Sequence, residues 1–319
     1  MKKIAILGSG AWAFALSQAL VGAQVKMYSI ENHVIESIRT NQRHPRFQHI
    51  EPVNKIDIYD QLAHAIHDSD LIIESVTSQG FTPVVQALVD LGCTTPLMIT
   101  SKGINEEGMT LYEIAVKAGL KNVCVLSGAT FADEVLEKKI SCATLATADR
   151  SLFEMIKPIF NKQFFFLDYS NQPIACMLCG SMKNIYAILC GILEGLDCGK
   201  NGRASLITKA FLEIKSYLES RGMERNLADS FCGLADLILT CSSEKSRNFQ
   251  CGSNIAKGMS VESARENVGM VVEGAFAAKA FSKCSQLPIA KAVYNILFAG
   301  YSPEKTIREV FENEFHLLP

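Results

Sequence analysis

The stretch "KKIAILGSGAWAFALSQAL", residues 2–20, decides the fold. An apolar run, Ile4 to Leu7, ends at a glycine and is followed by a helix-like pattern, which predicts a strand turning tightly into a helix. Within it "GSGAWA", residues 8–13, is a G-x-G-x-x-G/A loop with alanine in the third slot. Gly8 permits the tight turn, and Gly10 lets backbone amides approach a pyrophosphate at the helix N-terminus. A second strand, "VKMYS", leads to Glu31, about 20 residues on, where a carboxylate can accept hydrogen bonds from the adenosine ribose hydroxyls. The plain alternative is a strand–turn–helix with no ligand; the strand before the loop and the acid after it favour a dinucleotide.

Outward from that loop the alternation continues. "ENHVIESIRTN" reads as a helix, "DLIIESV" as a strand, "GFTPVVQALVDL" as a helix, "PLMITS" as a strand and "GMTLYEIAVKAG" as a helix. "NVCVLS", "ATLATA" and "FFFLD" then read as strands. Apolar β-rich runs between amphipathic helices imply βαβ units and a mostly parallel sheet. After the turn-rich "DYSNQP" the patterns become long and helical, as in "SLITKAFLEIKSYLES". The expected architecture is α/β: a Rossmann-type dinucleotide-binding domain over residues 1–170 and an all-helical substrate domain over 171–319.

Composition narrows the function. The 319 residues are 48% hydrophobic and 20% charged, with formal charge −2 and a pI near 6.3. That balance excludes a whole-chain electrostatic pull on nucleic acid or anionic membrane. The 11 cysteines are odd in number in a long chain, and the apolar run near Met1 passes directly into glycines rather than forming a secretory leader. Reduced thiols in the cytoplasm are the expectation. "CMLC", Cys176 to Cys179, has redox or metal spacing but no partner pair, so it reads as core packing, and no metal is expected.

Residues 173–193, "PIACMLCGSMKNIYAILCGIL", could span a bilayer by length, yet their midpoint carries Lys183 and Asn184. A helix buried in a soluble domain, without stable membrane insertion, fits better. Lys183 is the only charge in this run, so it has either snorkelled to water or been set in a dry place. The histidines are His33, His44, His49, His64, His67 and His316. His64 and His67 could share a helix face and bind metal, although a solvated face is the simpler reading. With no histidine between Asp68 and Phe315, the acid/base of a dehydrogenase falls to lysine. Burial can lower a lysine pKa towards neutrality, as proton transfer requires; a structural lysine paired with a distant carboxylate is the alternative.

"GLADLILTCSSEKSRN", residues 233–248, adds Asp236, Thr240 and the Ser246-Arg247-Asn248 cluster, whose guanidinium and polar donors suit phosphate or carboxylate. "SKGI" puts Lys102 at the carboxyl end of a strand, where open α/β sheets bind ligands, and "SGATFADEV" repeats that geometry.

Taken together, "GSGAWA", "VTSQ", "SKGI", "SGATFADEV", "GSMKNIYAI", "NGRASLITKAFLEI", "GLADLILTC", "SRN" and "VVEGAFAAKA" resemble, in order and over essentially the whole chain, the NAD(P)-dependent glycerol-3-phosphate dehydrogenases. The lysine-asparagine helix followed by the D-L-x-x-T-C block is the specific part. The resemblance implies Lys183 as proton acceptor, held by Asn184 and Asp236. It implies that Lys102, Gly128, Thr130, Ser246, Arg247 and Asn248 meet the substrate together with Lys183 and Asp236. NAD, with NADP as the alternative, would meet Gly8, Ser9, Gly10, Trp12, Glu31, Lys102, Ala132, Arg247, Val271 and Glu273. The partner implied is a small phosphorylated substrate, not a nucleic acid; a homodimer is compatible. Ala13, Thr77, Ala129 and Thr130 depart from the family pattern, two of them by loss of a proline, while every charged match is intact. Two rival readings are a related lysine-dependent hydroxy-acid dehydrogenase and a catalytically inactive dinucleotide-binding regulator.

Overall fold

A computed structural model of the chain describes residues 1–269 and 271–312; His316 lies outside the described residues. The chain falls into two compact units. The first comprises Met1–Ser101 and Leu111–Pro173, the second Lys102–Thr110 and the residues from Ile174 onward.

The first unit is an eight-stranded sheet: β1 (Lys2–Leu7), β2 (Ala23–Tyr28), β3 (Ile56–Tyr59), β4 (Leu71–Glu74), β5 (Leu97–Ile99), β6 (Val123–Ala129), β7 (Ser141–Ala146) and β8 (Phe165–Ser170). Its helices are α1 (Ala11–Ala19), α2 (Asn32–Asn41), α3 (Leu62–Ile66), α4 (Ser78–Asp90), α5 (Leu111–Lys117), α6 (Ala132–Leu136) and α7 (Arg150–Ile156). Strand order is β3-β2-β1-β4-β5-β6-β7-β8. Every neighbouring pair is parallel except β6 with β7. The central strands are apolar throughout because helices cover both faces of a parallel sheet: Ile4, Ile6, Leu71 and Ile73 are fully buried against Phe14 and Leu16 of α1 and their neighbours. The order reverses between β1 and β4, which makes their carboxyl ends the crevice where such sheets take ligands.

The strand β3 was not expected. Only Ile56 and Ile58 of its four residues face the core, and at the sheet edge so short a segment carries little apolar signal.

The second unit contains α8 (Pro173–Gly195), α9 (Gly199–Ser220), α10 (Asp236–Cys241), α11 (Arg247–Ala256), α12 (Val261–Asn267), α13 (Glu273–Phe281), α14 (Pro288–Phe298) and α15 (Pro303–Glu312). Helix α8 is long and apolar enough to cross a membrane, but its apolar window is buried inside the unit, in a core shared with Leu206, Ile214, Leu237, Phe249 and Val293. It packs directly on α11: a Cβ at Gly191 would collide with the Phe249 carbonyl, and one at Gly252 with the Ile188 carbonyl. This backbone-to-backbone crossing fixes the helix bearing Lys183 against the helix that begins at Arg247.

Candidate active site

In the first unit the glycine loop lies at the β1/β4 crevice. Gly8 has φ +106°, and an added Cβ would strike the Ser75 carbonyl, so the fold itself requires glycine there. Gly10 differs. Its backbone is extended, at φ −68° and ψ 175°, and no atom lies within 4 Å of where its Cβ would be. It is the N-cap of α1 and supplies no side-chain cap, leaving the first amides of that helix without a side-chain acceptor. Open space in front of uncapped amides fits a pyrophosphate.

Ser9 and Ser29 share a 2.6 Å hydroxyl hydrogen bond that ties the loop to the end of β2, and Ser29 Oγ accepts from the Glu31 N–H at 3.0 Å. Glu31 stands at the N-cap of α2, yet its carboxylate makes no capping hydrogen bond; it is about half exposed, 3.9 Å from His33. Trp12 is half-buried against the core beneath α1, as is Ala132 at the start of α6. His44 is buried below the loop, with Nε2 3.1 Å from the Ser9 carbonyl, and desolvation lowers its pKa to about 4. These residues suit a dinucleotide. His64 and His67 sit in or just after α3, and among the described residues no group of three His, Cys, Asp or Glu could hold a metal.

Gly128 is the penultimate residue of β6, and Thr130 follows the strand. A Cβ at Gly128 would press on the backbone of Cys142 and Ala143 in β7, so packing alone accounts for this glycine. The Thr130 hydroxyl donates weakly, at 3.4 Å, to the Gly128 carbonyl.

In the second unit Lys183 is 7% exposed and Asp236 is 1% exposed. Lys183 Nζ donates to Asp236 Oδ1 and, at 2.8 Å, to Thr240 Oγ1. Thr240 lies four residues after Asp236 on α10 and so shares its face; its hydroxyl is 3.3 Å from Oδ1. A wide π turn, Phe231–Ala235, leads into Asp236. The other oxygen, Oδ2, accepts from Lys102 Nζ at 2.8 Å. One carboxylate therefore holds two ammonium groups. Burial pulls the Lys183 pKa from 10.5 down to about 7; Asp236 resists this and Lys102 adds to it. Burial would raise the Asp236 pKa, but the two lysines outweigh it and hold the carboxyl below its ordinary value. Lys183 is thus in a dry place, not snorkelled.

Asn184 does not complete this cluster. Its Oδ1 accepts from Asn248 Nδ2 at 3.0 Å, and Asn248 Oδ1 accepts from the Gly274 N–H at 2.9 Å. The Asn184–Asn248 pair joins α8, α11 and the start of α13, where Glu273 sits next to Gly274 with Val271 just before the helix. Ser246 Oγ accepts from the Phe249 N–H and caps α11, whose first residue, Arg247, is exposed. Gly274 and Ser29 stand outside the set expected from sequence, and Thr240, which the sequence places with Asp236, carries no assigned role there. For Thr240 a signal existed, its i+4 spacing from Asp236.

The chain also matches known proteins along its length. The model of the NAD-dependent glycerol-3-phosphate dehydrogenase N-terminus matches residues 3–153, and that of the C-terminus matches residues 172–308. Glycerol-3-phosphate dehydrogenase [NAD(P)+] of Protochlamydia amoebophila is 31% identical, with 96% of each chain covered. The Chlamydia pneumoniae protein of the same name is 32% identical over 92% of each. The crystal structure of glycerol-3-phosphate dehydrogenase from Coxiella burnetii superposes with a TM-score of 0.93 at 26% identity, covering 98% of this chain and 99% of that one. Two family models that together span nearly the whole chain, and relatives above 30% identity over nearly their full length, establish that the chain belongs to the NAD-dependent glycerol-3-phosphate dehydrogenase family.

Proposed function

We propose that this chain interconverts sn-glycerol 3-phosphate and dihydroxyacetone phosphate with NAD(H), and that Lys183 is its acid/base. The observation that carries this reading is one buried lysine, its pKa brought to about 7, aimed by Asp236 and Thr240. In ketone reduction the Lys183 ammonium gives a proton to the C2 oxygen and is left as the neutral amine; in oxidation the amine takes the hydroxyl proton. Asp236 stays ionised throughout, because its pKa is held low, so it orients Lys183 and offsets its charge rather than taking the proton. When bound, the dinucleotide supplies hydride to C2 or takes it away. Gly8, Ser9, Gly10, Trp12, Glu31 and Ala132 would hold it, and the family resemblance adds Lys102, Arg247, Val271 and Glu273 to its contacts.

Arg247 and the opening amides of α11 receive the substrate phosphate, a dianion suited to a guanidinium fork at a helix N-terminus. Ser246 and Asn248 are already engaged in the cap and in the Asn184 pair, so they shape this site as well as lining it. Lys102, held on Asp236 Oδ2, would meet the substrate, and the family resemblance adds Gly128 and Thr130 to its contacts. The product serves as the glycerol phosphate backbone of phospholipids, made in the cytoplasm. The test is NADH and NADPH oxidation with a panel of phosphorylated ketones, unphosphorylated dihydroxyacetone and 2-keto acids. Dihydroxyacetone phosphate should be turned over far faster than the rest; a keto acid in first place would move the chain to the hydroxy-acid dehydrogenases, and no turnover at all would make it a regulator.

A further inference from the structure

Strand β4 runs Leu71, Ile72, Ile73 and then ends in an acid, Glu74, that is fully buried. A carboxyl in that position is costly, and an apolar residue would fill the volume without the cost. Nothing in the acid/base cluster described above uses it. What the carboxyl does is hold two segments at once. Its Oε1 accepts from the Val76 N–H at 2.8 Å and lies 2.7 Å from the Ser101 hydroxyl, while Oε2 is 3.4 Å from the Ser101 N–H. The Ser101 hydroxyl also reaches the Val76 carbonyl. Both backbone polar groups of Val76 are therefore held by side chains. The hydroxyl has a single proton for two acceptors, so the set is complete when Glu74 carries a proton and donates to Ser101. Burial, which pushes the Glu74 pKa up to about 7 against these hydrogen bonds, agrees with that count.

The turn held in this way, Ser75–Val76, is the one on which the glycine loop rests, since the Ser75 carbonyl is what forbids a Cβ at Gly8. It also lies at the β1/β4 reversal of strand order. We propose that Glu74 is a positioning residue for the dinucleotide: by clamping Val76 to Ser101 it sets the floor under the glycine loop and so the depth of the crevice. This rests on the reading that the glycine loop binds the dinucleotide.

The test is fluorescence titration of the full-length protein with NADH. Glu74→Val removes the clamp and should raise the NADH Kd at least about fivefold, whereas Glu74→Gln, whose amide oxygen can still accept from the Val76 N–H in the same volume, should raise it less than Glu74→Val does. The KM for dihydroxyacetone phosphate at saturating NADH should change less than about twofold in both. A Glu74→Val protein with wild-type NADH affinity overturns the proposal, even if its Tm falls, because the carboxyl would then serve stability alone. Should Glu74→Val not fold, Ser101→Ala decides: a rise of about threefold supports the clamp and an unchanged Kd overturns it. Gly10→Val separates the two readings. If it too leaves NADH binding intact, the glycine loop is not the site; if it weakens binding while the Glu74 and Ser101 variants do not, only the role of Glu74 falls.

Discussion

Removing the charge of Lys102 should move the pH dependence of catalysis upward. Lys102 and Lys183 occupy opposite oxygens of the Asp236 carboxylate, so their ammonium groups stand roughly 5 Å apart; at an effective dielectric of about 20 they repel by about 3 kcal/mol. Lys102 is 21% exposed, and solvent screening reduces this to about half, or about one pH unit. The sign follows from the chemistry. Reduction needs Lys183 as the ammonium, so its kcat/KM falls as pH rises through about 7; oxidation needs the amine and rises over the same range. Lys102→Gln removes a charge that lowers the Lys183 pKa, and both limbs should shift to about one unit higher pH. The assay is NADH absorbance in each direction across a pH series, using kcat/KM because it reports the substrate-free enzyme. Affinity for substrate will also drop in this variant, but that changes the height of the profile rather than the position of its limb. A limb that stays in place or moves to lower pH would refute the electrostatic coupling, and with it the assignment of the limb to Lys183.

Lys183→Met keeps the length of the side chain without its charge, and turnover should fall by about 10²–10⁴-fold while NADH affinity barely changes; a variant keeping a tenth of wild-type turnover would return Lys183 to a structural role. Gly8→Ala should lower Tm, since φ +106° and the Ser75 carbonyl both exclude a Cβ, whereas Gly10→Ala should leave Tm unchanged and weaken NADH binding. Glu31 should repel a 2′-phosphate, so NADH should exceed NADPH in kcat/KM and Glu31→Gln should narrow the gap; equal use of both cofactors by the wild type would remove Glu31 from cofactor choice. Arg247→Lys should weaken dihydroxyacetone phosphate more than unphosphorylated dihydroxyacetone, and equal losses would move Arg247 off the substrate phosphate.

Local patterns carried the Rossmann-type sheet and the helical unit, because strand and helix periods are properties of neighbouring residues. The expected strands from Ile4–Leu7 to "FFFLD" are all present within a residue or two. Lys183 was legible for a related reason: a single charge in an apolar run has few explanations. What stayed hidden depended on contacts across the chain. Lys102–Thr110 follows β5 in sequence yet clusters with the helical unit, where Lys102 reaches an aspartate 134 residues away. No window of neighbouring residues contains that pairing. Glu74 reads as the polar end of a strand, and only the hydrogen bonds that its buried carboxyl makes with Ser101 and Val76 reveal a clamp.

Asn184 shows how consecutive residues part company inside a helix. The family resemblance implies that it holds Lys183; but successive helical residues point about 100° apart, so consecutive side chains meet different neighbours. Lys183 therefore faces α10 and Asp236, while Asn184 faces α11 and Asn248. Thr240, four positions beyond Asp236, is the second side chain that accepts from Lys183 Nζ. The glycine loop carries the same lesson in two letters. Gly8 and Gly10 are interchangeable in the motif, yet the first is glycine because the Ser75 carbonyl leaves it no room, whereas the open space beside the second is what the proposed dinucleotide would use. A sequence pattern records both demands identically, and only geometry, or a pair of alanines, separates stability from binding.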